Sequence, residues 1–298
     1  MKDGERLLTA ENRCHYREYS VEYDSALLHL DSLEVEEMNP EKNILLVHGV
    51  TYSSHEFDIA YQDYSLARRL AEEGYRVWRL DIMGYGQSAP VEDGFRPDSD
   101  YAADNIAAAM ERILKETGQN RIDLLGWSWG TVTAGRFAVK HPEVLRKLVL
   151  YAPILCGLGQ QEITEAFHHN TWEHAAEDFQ KLPDGSINYT AVDPVVVELY
   201  CSGCWRYDGE FSPNGGRRDL CVDPSVRLID LSRIRVQTLV ICGDRDPYLN
   251  PDLVKRSLEE LPDGSELKIF EGASHVAFVE KPYYRAFQES LAAFLMKK

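Results

Sequence analysis

Basic charge is scarce in this 298-residue chain. Only 32 lysines and arginines stand against 49 aspartates and glutamates, a net charge of −17. Nucleic acid and anionic bilayers are captured through clustered basic side chains, so neither is an expected partner. Long apolar runs are missing too. No stretch approaches the roughly 18 residues of a membrane-spanning helix. The opening MKDGERLLTAENRCHYRE is charged where a secretion signal would be apolar. Membrane insertion is not expected, and a cytoplasmic location is. Cysteine is sparse, at six. A chain long enough to bury a large core needs no disulfide framework, so these read as free thiols. Cys201-x-x-Cys204 has only Cys221 nearby to complete a zinc site, and His55-Glu56 leads into Phe57-Asp58-Ile59 rather than a second histidine at zinc-helix spacing. No metal or cofactor is expected. Repeats and low-complexity segments are also lacking.

What is there is alternation. The first forty residues read as a β-hairpin or short antiparallel strands, ended at Asn39-Pro40. Short apolar runs then alternate with helical patterns. Strands are expected at 44–47, 77–82, 122–125, 148–151, 239–242 and 267–270. Helices are expected around Leu66–Ala71, Ile106–Leu114, Val132–Val139, Leu253–Leu261 and Phe287–Leu295. Continuously apolar strands separated by amphipathic helices predict an α/β fold, a mostly parallel sheet covered on both faces. The rhythm breaks over residues 154–234, which read as helical and polar, with turns at Pro183-Asp184-Gly185 and Pro213-Asn214-Gly215-Gly216 and no clear buried strand. The expected organisation is thus a core of residues 1–153 and 235–298, interrupted by an inserted lid, 154–234. Following a strand, the insertion would sit at the sheet's carboxyl edge, where open α/β sheets bind ligands. It carries 13 acids against 6 bases, which is expected to disfavour strongly anionic substrates.

Gly126-Trp127-Ser128-Trp129-Gly130 lies between an expected strand and an expected helix. A serine on that sharp turn is lifted off the sheet, and the small residues two before and two after let backbones pass close. A serine hydroxyl needs a base, and the base needs a carboxylate to orient it. His275 follows the last strand. Asp244 and Asp246 both follow the strand 239–242. Gly84-Tyr-Gly86-Gln-Ser-Ala89 fits a dinucleotide-binding pattern, but Pro90 and the polar run to Ser99 do not open the required helix. His168, His169 and His174 read as solvated lid histidines. Trp127 reads as core, while Trp129 is open between core and the wall of an acyl pocket.

These motifs together resemble the α/β-hydrolase superfamily over roughly residues 44–298, the insertion excepted. Leu46-Val47-His48-Gly49 resembles its strand leading into the oxyanion loop. Asp81-Ile-Met-Gly84-Tyr-Gly86-Gln-Ser88 resembles its D-x-x-G-x-G-x-S loop. Gly243-Asp-Arg-Asp246 resembles its acid segment, and Gly272-Ala-Ser-His275 its histidine loop. The resemblance implies a central sheet flanked by helices and a Ser128–Asp246–His275 triad. It also implies an oxyanion hole from the Val50 and Trp129 amides, with Thr51 the alternative to Val50 and His48 bracing the loop. His-Gly-Val-Thr-Tyr departs from the His-Gly-Gly-Gly of some lipases and esterases, and from the His-Gly-Gly-Pro-Gly of proline iminopeptidase-like members.

The expected function is cleavage of a carboxylic ester or thioester of a small molecule through an acyl-enzyme on Ser128. An amidase, peptidase or acyltransferase would use the same triad. A lyase, a cofactor-free peroxidase or a ligand-binding protein on this fold is the alternative of another class.

Overall fold

In a computed structural model, which describes residues 14–36, 38–159 and 162–297, the chain opens with β1 (Cys14–Tyr23) and β2 (Ala26–Val35). They pair antiparallel about Asp24-Ser25, both at positive φ, the backbone of a two-residue hairpin turn. The expected hairpin is present; its first thirteen residues lie outside the described ones. β3 (Asn43–Val47), α1 (Leu66–Glu72), β4 (Arg76–Leu80), α2 (Ser99–Thr117), β5 (Ile122–Trp127), α3 (Trp129–Lys140) and β6 (Leu145–Tyr151) follow. Asp98 caps α2 through the Asp100 and Tyr101 amides, and Gly118 ends it in the left-handed conformation.

Between β6 and β9 lie β7 (Phe167–His169), α4 (Trp172–Ala175), α5 (Pro194–Tyr207), β8 (Phe211–Pro213) and α6 (Gly215–Leu220). β7 and β8 pair antiparallel. At three residues each they are too short to show alternation, which is why this pair was illegible in the sequence. The chain closes with β9 (Thr238–Gly243), α7 (Pro251–Glu260), β10 (Glu266–Phe270) and α8 (Tyr284–Met296).

The main sheet runs β1-β2-β4-β3-β5-β6-β9-β10, parallel from β4 onward. Side chains alternate between its two faces. Leu46, Leu125, Val149 and Ile241 join Leu66, Leu70, Phe287 and Leu291 of α1 and α8 on one face. Leu45, Leu124, Leu148 and Val240 join Ile106, Met110, Val132 and Phe137 of α2 and α3 on the other. Leu228, Ile229, Leu231 and Ile234, at the end of the expected lid, pack into this second cluster. Among the described residues no helix is long and apolar enough to cross a membrane.

Chain order reverses direction between β3 and β5, which are neighbours in the sheet. Their carboxyl ends therefore diverge into loops on opposite sides and leave a crevice between them. Gly49 follows β3 and Ser128 follows β5 at this point.

Candidate active site

Ser128 sits at φ 57°, ψ −123°, a backbone state that costs a non-glycine residue about 1–3 kcal/mol. Two bonds hold it: its amide donates to the Tyr151 carbonyl at 3.0 Å, and its carbonyl accepts from the Thr131 amide at 2.9 Å. The flanking glycines are required by contact. A β-carbon on Gly126 would lie 2.1 Å from the Gly130 carbonyl oxygen, and one on Gly130 2.5 Å from that of Val47. Trp129 begins α3, so its N–H has no carbonyl of an earlier helical turn to meet.

His275 Nδ1 donates to Asp246 Oδ2 at 2.7 Å, leaving Nε2 as the basic nitrogen. Both side chains are at most 3% exposed. Burial alone would lower the His275 pKa, but the Asp246 charge and hydrogen bond outweigh it and raise it above the ordinary value, with a smaller push from Asp178. The Tyr248 amide donates to the other Asp246 oxygen at 2.9 Å, and the Tyr248 ring meets His275 edge-on. The structure separates the two acids that the sequence left open. Asp246 is buried on His275, whereas Asp244 is exposed and accepts from the Gly272 amide at 2.7 Å, holding the turn before the histidine.

Ser128, His275, Val50 and Thr51 line one cavity of about 1040 Å³. His48 braces the loop between them: its Nδ1 donates to the Gly49 carbonyl at 2.7 Å and its Nε2 accepts from the Ile82 amide at 3.1 Å. Asp81 of the D-x-x-G-x-G-x-S loop accepts from the amide and hydroxyl of Ser54 and from the Gln87 amide. That motif is scaffolding for the loop after β3.

The insertion supplies much of the rest. Thr51 lies at φ 91°, a strained state for a β-branched residue. Its carbonyl accepts from Ser212 Oγ at 2.5 Å and its hydroxyl from Arg217 Nη2 at 2.5 Å. Asp208 accepts from the amide and hydroxyl of Ser53 and from the Gly86 amide. Burial pushes its carboxyl up to about 8, against these three donors. Buried Tyr200 donates to Glu56, whose acid is raised well above the usual range by burial. Tyr248 donates to Asp178 at 3.2 Å.

The structure decides the open case of Trp129 and corrects the reading of two histidines. Trp129 is core, with no exposed surface and Nε1 donating to Ser99 Oγ at 2.9 Å. Trp127 is buried in the core as expected, stacking on Tyr151, and also borders the cavity. His168 and His174 are half-buried in the cavity wall rather than solvated; their rings pack 4.2 Å apart. Sequence reasoning also missed Tyr52, Glu56, Asp178, Arg217 and Tyr248, which come from loops and the insertion and carry no motif. The one available signal was Gly215-Gly216. A β-carbon on Gly216 would strike the Trp129 ring at 2.5 Å, so only a residue without a side chain lets α6 press down and carry Arg217 into the cavity. All six cysteines are unpaired.

The profile of the alpha/beta hydrolase fold matches residues 42–200. The chain belongs to the alpha/beta hydrolase fold family. This hydrolase-fold chain is 26% identical over 277 residues to a proline iminopeptidase of Lactobacillus helveticus, covering 83% of itself and 88% of that relative. It superposes on the esterase EaEST from Exiguobacterium antarcticum with a TM-score of 0.66, at 19% identity, covering 93% of this chain and 99% of the other. With the epoxide hydrolase VrEH1 from Vigna radiata the TM-score is 0.72 at 15% identity, covering 98% and 100%. One fold thus spans differently named chemistries, and the reaction has to be argued from the site.

Proposed function

We propose that this protein is a serine hydrolase that cleaves a carboxylic ester or thioester of a small molecule. The observation that carries the reading is the buried 2.7 Å bond from His275 to Asp246, opening on the same cavity as a strained Ser128. With Nδ1 committed to Asp246, His275 Nε2 takes the proton of Ser128 Oγ as that oxygen attacks the acyl carbon. The Val50 and Trp129 amides receive the oxyanion, a contribution of about 3–4 kcal/mol per donor in such sites. His275 then gives the proton to the departing oxygen or sulfur. Water attacks the acyl-enzyme with His275 again as base, and Ser128 is regenerated. These steps call for no metal or cofactor. Residues 154–234 act as the lid that shapes the acyl pocket. Unpaired thiols suit a reducing compartment, and we assign the protein to the cytoplasm.

A fluorophosphonate probe and a series of p-nitrophenyl esters of increasing acyl length test this. Labelling and turnover should both vanish in Ser128→Ala; ester turnover retained by that variant overturns the mechanism. A second reading, amide cleavage, is supported by the likeness to a proline iminopeptidase over 83% of the chain. Aminoacyl p-nitroanilides separate the two: turnover faster than that of the matched esters favours the peptidase.

A further inference from the structure

Arg217 stands out among the groups around the cavity. It is the one arginine in the lining, which has no lysine. Its Nε donates to Asn214 Oδ1 at 3.2 Å and its Nη2 to Thr51 Oγ1 at 2.5 Å, both neutral oxygens. Among the described residues it has no carboxylate within ion-pair distance, although the insertion is rich in acids. A half-buried guanidinium without a counter-ion is costly unless something that enters the cavity supplies one.

The cavity's own acids are engaged elsewhere. Glu162 and Glu165 are exposed, where water screens them. Glu177 is exposed as well, and Asp178 receives the Tyr248 hydroxyl. Glu56 is bound by Tyr200, and burial raises its acid well above the usual range. Beside Arg217, burial and then the guanidinium charge push His168 down to about 4 and lower His174 as well, so the positive charge at this end is that of Arg217. His168 Nε2 is buried with no hydrogen-bond partner.

We propose that the substrate carries a carboxylate, received by Arg217. This rests on the serine-hydrolase reading of the same cavity. It reverses the expectation drawn from the insertion's overall acidity, because the field beside Arg217 is set by its own half-buried charge rather than by solvated acids farther out.

Matched esters test it. p-Nitrophenyl hydrogen adipate, p-nitrophenyl hexanoate and p-nitrophenyl 6-aminohexanoate put an anion, a methyl and a cation at one place on the acyl side; 4-carboxyphenyl and phenyl hexanoate do the same for the leaving group. One carboxylate ester should exceed its neutral match in kcat/KM by about 10- to 100-fold, the scale of a charge-assisted bond. Arg217→Met should erase that preference mainly through KM, and Arg217→Lys should keep part of it. Thr51→Val, which removes the hydroxyl that Arg217 holds, should keep the preference. The proposal is overturned when neither carboxylate ester is preferred, when the cationic ester wins, or when Arg217→Met slows charged and neutral esters equally. Calorimetry of adipate on Ser128→Ala, with and without Arg217→Met, needs no turnover. Arg217-dependent adipate binding without any ester cleavage supports the anion site and sinks the hydrolase reading. Unselective cleavage without adipate binding sinks the anion site alone.

Discussion

The parallel core and the insertion between β6 and β9 are held by different physics. The core is apolar: alternate residues of β3, β5, β6 and β9 feed two clusters of buried side chains. The insertion contributes apolar residues too, among them Phe179, Val196 and Tyr200. Yet it meets the working loops through polar bonds: Ser212 and Arg217 on Thr51, Asp208 on Ser53, and Tyr200 on Glu56. Apolar burial tolerates many residue choices, while a buried polar contact fails when either partner is lost. The core can therefore carry chemistry shared across a fold, and the insertion can fix one arrangement of the substrate side.

The sharpest test of that division is Asp246→Asn beside Asp244→Asn. If the core alone sets the proton relay, kcat should fall about 10⁴-fold in the first, the scale for a carboxylate that orients a catalytic histidine. The second should fall only a few-fold, since Asp244 holds a turn; similar losses in steady-state kinetics would erase the distinction. Gly126→Ala probes an intolerant point of the core. Backbone contact at 2.1 Å leaves no room for a methyl, so denaturant unfolding should show a loss of about 1–3 kcal/mol or more. Tyr200→Phe probes the insertion's mode of attachment. It strands the buried Glu56 acid and should cost about 1–3 kcal/mol. Glu56→Gln, which keeps a hydrogen-bonding oxygen, should cost less; equal stabilities by thermal melting would show that this contact does not anchor the insertion.

The smallest effect is in pH. In the proposed mechanism His275 must be neutral to accept the serine proton, so kcat/KM should fall as pH drops through its pKa. Because Asp246 raises that pKa, the midpoint should lie above the ordinary histidine value. In Asp246→Asn the main cause of the rise is gone and burial meets only the smaller push from Asp178, so the midpoint of the residual activity should move to lower pH. A midpoint unchanged between the two enzymes would deny the coupling.

Legibility followed the same division. Strands 44–47 and 122–125 were visible because both faces of a parallel sheet are buried, which writes continuous apolar runs. The turn at Ser128 was visible because its glycines answer to unavoidable backbone contacts. Asp246 could be told from Asp244 only through family resemblance until the geometry showed which one reaches His275. Trp129 stayed open in the sequence because it sits beside Ser128, where strand gives way to helix and side-chain direction no longer follows a simple period; Trp127, at the strand's end, was legible as core. Arg217 was invisible as a site residue, since a lone arginine in a polar stretch has no period and no spacing to betray it.

By itself the sequence determined the main sheet, the serine turn and the chain order of Ser128, an acid and His275, because apolar periodicity and close backbone approach are local demands that residues must meet one by one. Tertiary structure alone decided which charges inside the cavity are paired. Pairing depends on distances between segments far apart in the chain, such as the 2.5 Å from Arg217 to Thr51, and composition averages those distances away.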